Sequence, residues 1–190
     1  AASLQGATPA SMTMEVDLSD QNITDSQLQM MFAISHPDIP AESQIGLALR
    51  ILCGLGIEEI ADAFLSNKET INKRLLRAKD KLRAANIQVE MPVAQSIPLR
   101  LDTVLRTLYL LFNEGYYSAT QNTVLRKDLC LEAMRLTLLL LANASTQQPM
   151  VNALLSLMCF HASRFEARLD ALGAVILYAD QDRNLWDAEL

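Results

Sequence analysis

Four apolar residues, Ile71, Leu75, Ala78 and Leu82, recur at intervals of four, three and four, and the residues between them are mostly charged. At about 100° per residue that spacing puts all four on one narrow stripe of an α-helix, and no strand period does the same. Such a stripe has to be covered, and the chain just ahead of it carries the cover. A helix is expected to start after Pro40, with Ile45, Leu49 and Leu52 on one side, and to end at Gly54. A short helix follows from Ile57 to about Phe64. Ser66-Asn67-Lys68-Glu69 then reads as a capping box that opens the striped helix, which runs to about Asn86. Upstream, Asp25 to Ser35 reads as a helix with Leu28, Met31 and Phe32 on one face. It is cut off from the next by His36-Pro37-Asp38-Ile39-Pro40, because proline lacks an amide hydrogen and drives its predecessor towards extended geometry. The spacing of the short helix, turn and longer helix is that of a helix-turn-helix.

The net charge of −6 by itself argues against a nucleic-acid partner. The distribution argues the other way. Lys68, Lys73, Arg74, Arg77, Lys79, Lys81 and Arg83 fall in one run against Glu69 and Asp80, so seven cations less two acids leave that segment at +5. On a helical wheel Thr70, Lys73, Arg74, Arg77 and Lys81 share a side turned away from the apolar stripe. A solvated helix face ordinarily mixes signs at four-residue spacing, whereas this one is nearly all cationic and begins at a capped N-terminus, where free amides also favour phosphate.

Composition narrows the rest. The chain of 190 residues is 51% hydrophobic, 20% charged and only 5% aromatic, which fits a globular chain rather than a disordered one and favours helices over strands. Three cysteines, Cys53, Cys130 and Cys159, are an odd count among apolar neighbours and read as buried thiols of a cytoplasmic protein. No apolar run approaches the length of a membrane span, and the opening residues lack the pattern of a signal peptide. Residues 1–22 read as a flexible lead and 23–91 as the helix-turn-helix domain. Residues 92–190 read as an all-helical extension, set off by Met91-Pro92 and Ile97-Pro98.

In that second half, helices are expected over Asp102 to Asn113, closed by Gly115, then Asp128 to Asn143 and Met150 to Arg164. Tyr116 to Thr120 reads as a loop, Asp170 to Gly173 as a turn, and Ala174 to Tyr178 as a short strand or extended segment. Helical character rises again over Asp180 to Leu190, so the domain is expected to continue beyond the last residue. The expected architecture is therefore all-α, a helix-turn-helix domain followed by a repeat-like array of helical hairpins.

The residues also carry a family resemblance. Ala41 to Leu55, Glu58-Glu59-Ile60-Ala61-Asp62-Ala63-Phe64 and Glu69-Thr70-Ile71-Asn72-Lys73-Arg74-Leu75-Leu76-Arg77-Ala78-Lys79 together resemble region 4 of an extracytoplasmic-function RNA polymerase sigma factor. The resemblance implies that the recognition helix reads the promoter −35 element through Thr70, Asn72, Lys73, Arg74 and Arg77. It also implies docking on the β-subunit flap of core polymerase. With Lys68 and Lys81 from the charge run, the candidate DNA-binding set is Lys68, Thr70, Asn72, Lys73, Arg74, Arg77 and Lys81. The second half resembles the all-helical C-terminal extension of one subgroup of these factors, carried by Leu108 to Tyr116, by Asp128-Leu129-Cys130, Glu132-Ala133 and Arg135-Leu136, and by Asp180-Gln181-Asp182-Arg183 with Trp186-Asp187. In such an extension a regulatory protein is a further expected partner. Region 2, which melts the −10 element in the family, has no counterpart here, so the chain is expected to be part of a longer protein. A smaller departure is Ser35, where relatives often have Cys.

Two rivals stand beside this reading: a one-component helix-turn-helix regulator with a ligand- or protein-binding helical domain, and a protein-interaction module. An enzyme is not expected. His36 and His161 are the only histidines and lack partners at metal-ligand spacing, and the cysteines form no C-x-x-C pair. Cys159 and His161, two apart, point to different faces of a helix. Asp180, Asp182 and Asp187 with Glu114 could form an acidic cluster, but Arg183 and Trp186 beside them read as a structural ion pair and anchor, with an Asp accepting from the guanidinium. Tyr116 and Tyr117 are expected to pack under the next hairpin. No cofactor and no metal are expected.

Overall fold

Asp25 starts the first helix by accepting hydrogen bonds from the amides of Gln27 and Leu28 (3.0 and 3.1 Å), which satisfies two of the donors that a helix start leaves unpaired. The structure, a computed structural model, describes residues 25–84, 92–118 and 125–190. Among these residues there are seven α-helices and no strand: α1 (Ser26–Ile34), α2 (Ala41–Ile51), α3 (Ile57–Ala63), α4 (Lys68–Ala84), α5 (Ile97–Tyr116), α6 (Lys127–Ala142) and α7 (Pro149–Ala162). The lead over residues 1–22 lies outside the described residues.

Helix α2 is central. Every residue from Ser43 to Leu49 is buried, because α4 packs on one side of it and α5 on another, while α3 bridges to α4. Helices α5, α6 and α7 pack in succession. Buried residues from Leu28 to Ala162 form one continuous apolar cluster, and polar links run across the same boundary. Arg100 Nη1 donates to the Phe32 carbonyl (2.9 Å), Arg135 pairs with Asp25 (2.9 Å), and Arg126 pairs with the buried Glu59 (2.6 Å). The segment 92–190 is thus seated directly on α1, α2 and α3 rather than tethered beside them.

Several local expectations are corrected. The α4 cap is Asn67, whose Oδ1 accepts from the Thr70 amide (2.8 Å), and not Ser66. The reciprocal half of a capping interaction occurs one helix earlier, where the Gly56 amide donates to the Glu59 carboxylate. Helix α5 begins at Ile97, five residues earlier than expected, because Pro98 occupies the first turn, where its missing amide hydrogen costs no bond. Nor does Gly115 close that helix, which runs on to Tyr116. A Cβ at Gly115 would lie 2.9 Å from the Arg126 carbonyl oxygen, the Cys130 amide nitrogen and the Cys130 Sγ, so the glycine admits the start of α6 against α5. Towards the C-terminus, Ala174 to Tyr178 makes only a single antiparallel bridge, Leu169 with Val175. The last residues form 3-10 turns at Tyr178–Asp180 and Arg183–Leu185 in place of the rising helix. Asp170 stabilises the preceding turn by accepting from the amides of Leu172 and Ala174 (2.9 and 2.8 Å).

Candidate nucleic-acid interface

Helix α4 buries Ile71, Leu75 and Ala78, as its stripe requires, and leaves Leu82 half-buried. Each fully buried large aliphatic side chain on such a stripe contributes roughly 1.5–3 kcal/mol, so α4 is held mainly by this edge. The helices come close: a Cβ at Gly46 of α2 would lie 3.1 Å from Leu75 Cδ2. The opposite face of α4 is turned outward and no described element covers it. Leu76 on that outer side is 60% exposed.

Of the seven expected DNA-contacting residues, the structure brings five together. Thr70, Lys73, Arg74, Arg77 and Lys81 line an open cleft of about 370 Å³, closed on its far wall by Pro40 and Ser43 at the start of α2. Lys68 and Asn72 fall elsewhere, in a second groove shared with Arg50, Glu58 and Glu59. Pro40 and Ser43 were missed by sequence reasoning, since nothing in their spacing from α4 shows that α2 starts beside it.

The electrostatics of the face are uneven. Arg74 is partly covered, paired with Glu42 of α2 (2.8 Å) and stacked 5.6 Å from the Phe64 ring centroid. Lys73 pairs with Glu69 within α4 (2.6 Å), and Lys68 reaches back to Glu58. Arg77, Lys79 and Lys81 make no ion pair among the described residues. Glu42 and Glu58 reduce the local charge of +5 to +3, and they do so at the N-terminal half of α4. The uncompensated cations therefore sit in its C-terminal half. Exposed pairs such as Lys73 with Glu69 are worth only about 0.2–1 kcal/mol, so a phosphate can replace the carboxylate at little cost. The arrangement can hold a polyanionic backbone along α4 with Thr70 positioned beside it.

The sharper chemical candidates resolve differently. Burial pushes the thiols of Cys53 and Cys130 up to about 12, helped by Glu132 and Asp128 respectively, so neither is a nucleophile at neutral pH. Burial raises the Cys159 thiol too. No group of three His, Cys, Asp or Glu that could hold a metal occurs among the described residues. Glu114 is not part of the C-terminal acidic group. It is buried near Glu59, Arg126 and Asp62, and burial foremost, then the Glu59 and Asp62 charges, raises it above the ordinary carboxyl range against a Ser118 hydrogen bond and Arg126. Asp182 and Asp187 instead accept from the backbone amides of Asn184 and Glu189. The expected ion pair of Arg183 with an Asp does not form among the described residues. Arg183 stacks on Trp186 at 5.7 Å. Tyr116 packs against Phe112, His161 and Phe165, whereas Tyr117 stays exposed. No helix among the described residues is long and apolar enough to cross a membrane.

The fold and this face define an all-helical chain that presents a cationic helix beside the start of a second helix. Residues 100–190 match a family described as "Family of unknown function (DUF6596)". An uncharacterized protein of Rhizobium meliloti (strain 1021) is 42% identical over 176 residues, a match that takes in 90% of this chain and 41% of that protein. The chain thus spans about two fifths of the length of the relative it matches. No solved structure matches it significantly.

Proposed function

We propose that this chain recognises promoter DNA as the region 4 part of an extracytoplasmic-function sigma factor, with α3 and α4 as a helix-turn-helix and α5 to α7 as a hairpin extension. The observation that carries the reading is the outward face of α4. Thr70, Lys73, Arg74, Arg77 and Lys81 share one cleft, and three cations near it have no acid partner among the described residues. Four residues separate α3 from α4, the short connection that a helix-turn-helix needs. In this reading α4 enters the major groove, Thr70 and Lys73 face base edges, and Arg77 and Lys81 contact phosphates. The same chain docks on the β-subunit flap of core polymerase, and no residue lining the cleft comes from α5, α6 or α7.

The test is a titration of the full chain against labelled duplexes bearing candidate −35 elements at several salt concentrations. Three to five phosphate contacts give log–log salt slopes of about −2.7 to −4.5, and Arg77→Ala and Lys81→Ala should each flatten the slope by about 1. Slopes unchanged in both variants would remove this face from the interface. Retention of core polymerase on the immobilised chain separates a sigma factor from a one-component regulator, which has no need to bind it.

A further inference from the structure

Beneath the C-terminal turns lie two arginines that the DNA reading does not use. Arg164 is 6% exposed and Arg168 9% exposed, and neither pairs with a carboxylate among the described residues. Buried charges are ordinarily paired, because desolvation without a counter-charge costs several kcal/mol per ion. These two are held by rings instead. Arg164 stacks on Phe160 and Tyr178 (both 5.1 Å) and on Trp186 (5.9 Å), and its Nη2 lies 3.2 Å from the Tyr116 hydroxyl and 2.7 Å from His161 Nδ1. Arg168 lies 3.8 Å over the other side of the cluster, on the Tyr116 ring. Tyr116 therefore touches both guanidinium groups.

Three buried N–H groups here have no acceptor, Arg164 Nε, Arg168 Nε and Trp186 Nε1, and the strap supplies one buried acceptor without a donor, Gln181 Oε1. Native proteins leave few such donors, and each calls for a missing acceptor. Burial first, then the Arg164 and Arg168 charges, holds His161 below its ordinary value. No acid of the neighbouring tail forms an ion pair with either arginine among the described residues.

We propose that Arg164, Arg168 and Trp186 bind a phosphoryl oxyanion under the strap of residues 176–187. A phosphoryl group brings about two negative charges and at least three acceptor oxygens to the two unpaired guanidinium groups, where a carboxylate brings one charge and two oxygens. The strap is tied down by two backbone bonds at its ends, Ile176 to the Arg168 carbonyl (2.8 Å) and Asp187 to the Ser163 carbonyl (2.7 Å), and by the ring stacks. A segment with so little regular structure opens locally at low cost, which gives the anion its way in. The site is independent of whether α4 contacts DNA.

The chain carries one tryptophan, Trp186, so its fluorescence reports on this cluster alone. Inorganic phosphate titrated into the full chain, against sodium chloride and sodium acetate at matched ionic strength, should give a saturable Trp186 response. At a hundredfold excess over Kd, Tm should rise by about 5–11 °C. Arg168→Gln should abolish the response, Arg168→Lys weaken it, and Arg77→Ala on α4 leave it intact. Sugar phosphates binding more tightly than inorganic phosphate would place the source in a phosphorylated metabolite, and equal binding would place it in the free ion. No saturable response to phosphate, an equal response to acetate, or a wild-type response in Arg168→Gln with native helicity would each overturn the assignment.

Discussion

Replacing Gly115 by alanine sets two physical effects of opposite sign against each other. Glycine within a helix is less favourable than alanine by at most about 1 kcal/mol, so propensity alone says that Gly115→Ala, in the last turn, stabilises α5. The packing says the reverse. The added methyl would meet the Arg126 carbonyl oxygen, the Cys130 amide nitrogen and the Cys130 Sγ, all at 2.9 Å, where unstrained contacts to carbon lie near 3.5–4.0 Å. Two of the three are backbone atoms of the α6 start, which cannot swing aside, so α6 has to move bodily. Overpacking of this kind costs typically 1–3 kcal/mol, and with three simultaneous clashes the upper part of that range applies. The net loss is then about 2 kcal/mol, or a fall in Tm of about 4–8 °C for a chain of this size. Thermal unfolding followed by far-UV circular dichroism measures it. Gly46→Ala is the internal control, because its Cβ would meet only the end of the flexible Leu75 side chain at 3.1 Å and the Phe64 ring at 4.0 Å. A Gly115→Ala melt at or above that of the wild type would refute the reasoning, as would an equal loss in Gly46→Ala.

Three further outcomes are expected. Because Glu114 is raised from 4.5, the folded protein holds its proton more tightly than the unfolded chain, and ionisation opposes folding. That cost is absent below pH 4.5 and grows as pH climbs to the folded value, so Glu114→Gln should raise Tm at pH 7 and leave it unchanged near pH 4. Leu65, at φ 49° and 97% exposed, adopts a left-handed conformation with nothing to pack on. Leu65→Gly relieves about 1–2 kcal/mol of strain, partly offset by the entropy of glycine in the unfolded chain, and should raise the denaturation midpoint by a net stabilisation of about 0.5–1 kcal/mol. Glu42→Gln removes the acid that partners Arg74 at the cleft. It should tighten DNA binding roughly two- to fivefold at low salt, with a stability change below about 1 kcal/mol, measured by the same duplex titration.

The elements that sequence periodicity defines well are those whose neighbours are adjacent in the chain. The stripe Ile71, Leu75, Ala78 and the breaks at Pro40 and Gly54 locate the starts of α2 and α4 within a residue and the end of α2 within three, since burial of the stripe and the loss of an amide are local facts. Local signals mislead where a second segment determines the outcome. Gly115 has the look of a terminator only until α6 is placed against it, and Pro98 that of a break only until α5 is seen to start there. The partition of the cationic face follows the same rule. Five of its residues share a wheel side and a cleft, but the neutralisation of its N-terminal half depends on Glu42 and Glu58 from other helices. Glu59 and Arg126 lie 67 positions apart, and no spacing announces their pairing. The arginine cluster has no periodic signature at all, because Arg164 and Arg168 are buried by rings drawn from α5, α7 and the C-terminal turns.

Helix α2 is buried along two turns and carries α4 on one side and α5 on another. A rod gripped from both sides cannot roll without disturbing both neighbours. A shift of α5 against α2 therefore bears on the packing of α4. In the proposed reading, a partner gripping the C-terminal helices would act on the angle at which α4 meets DNA.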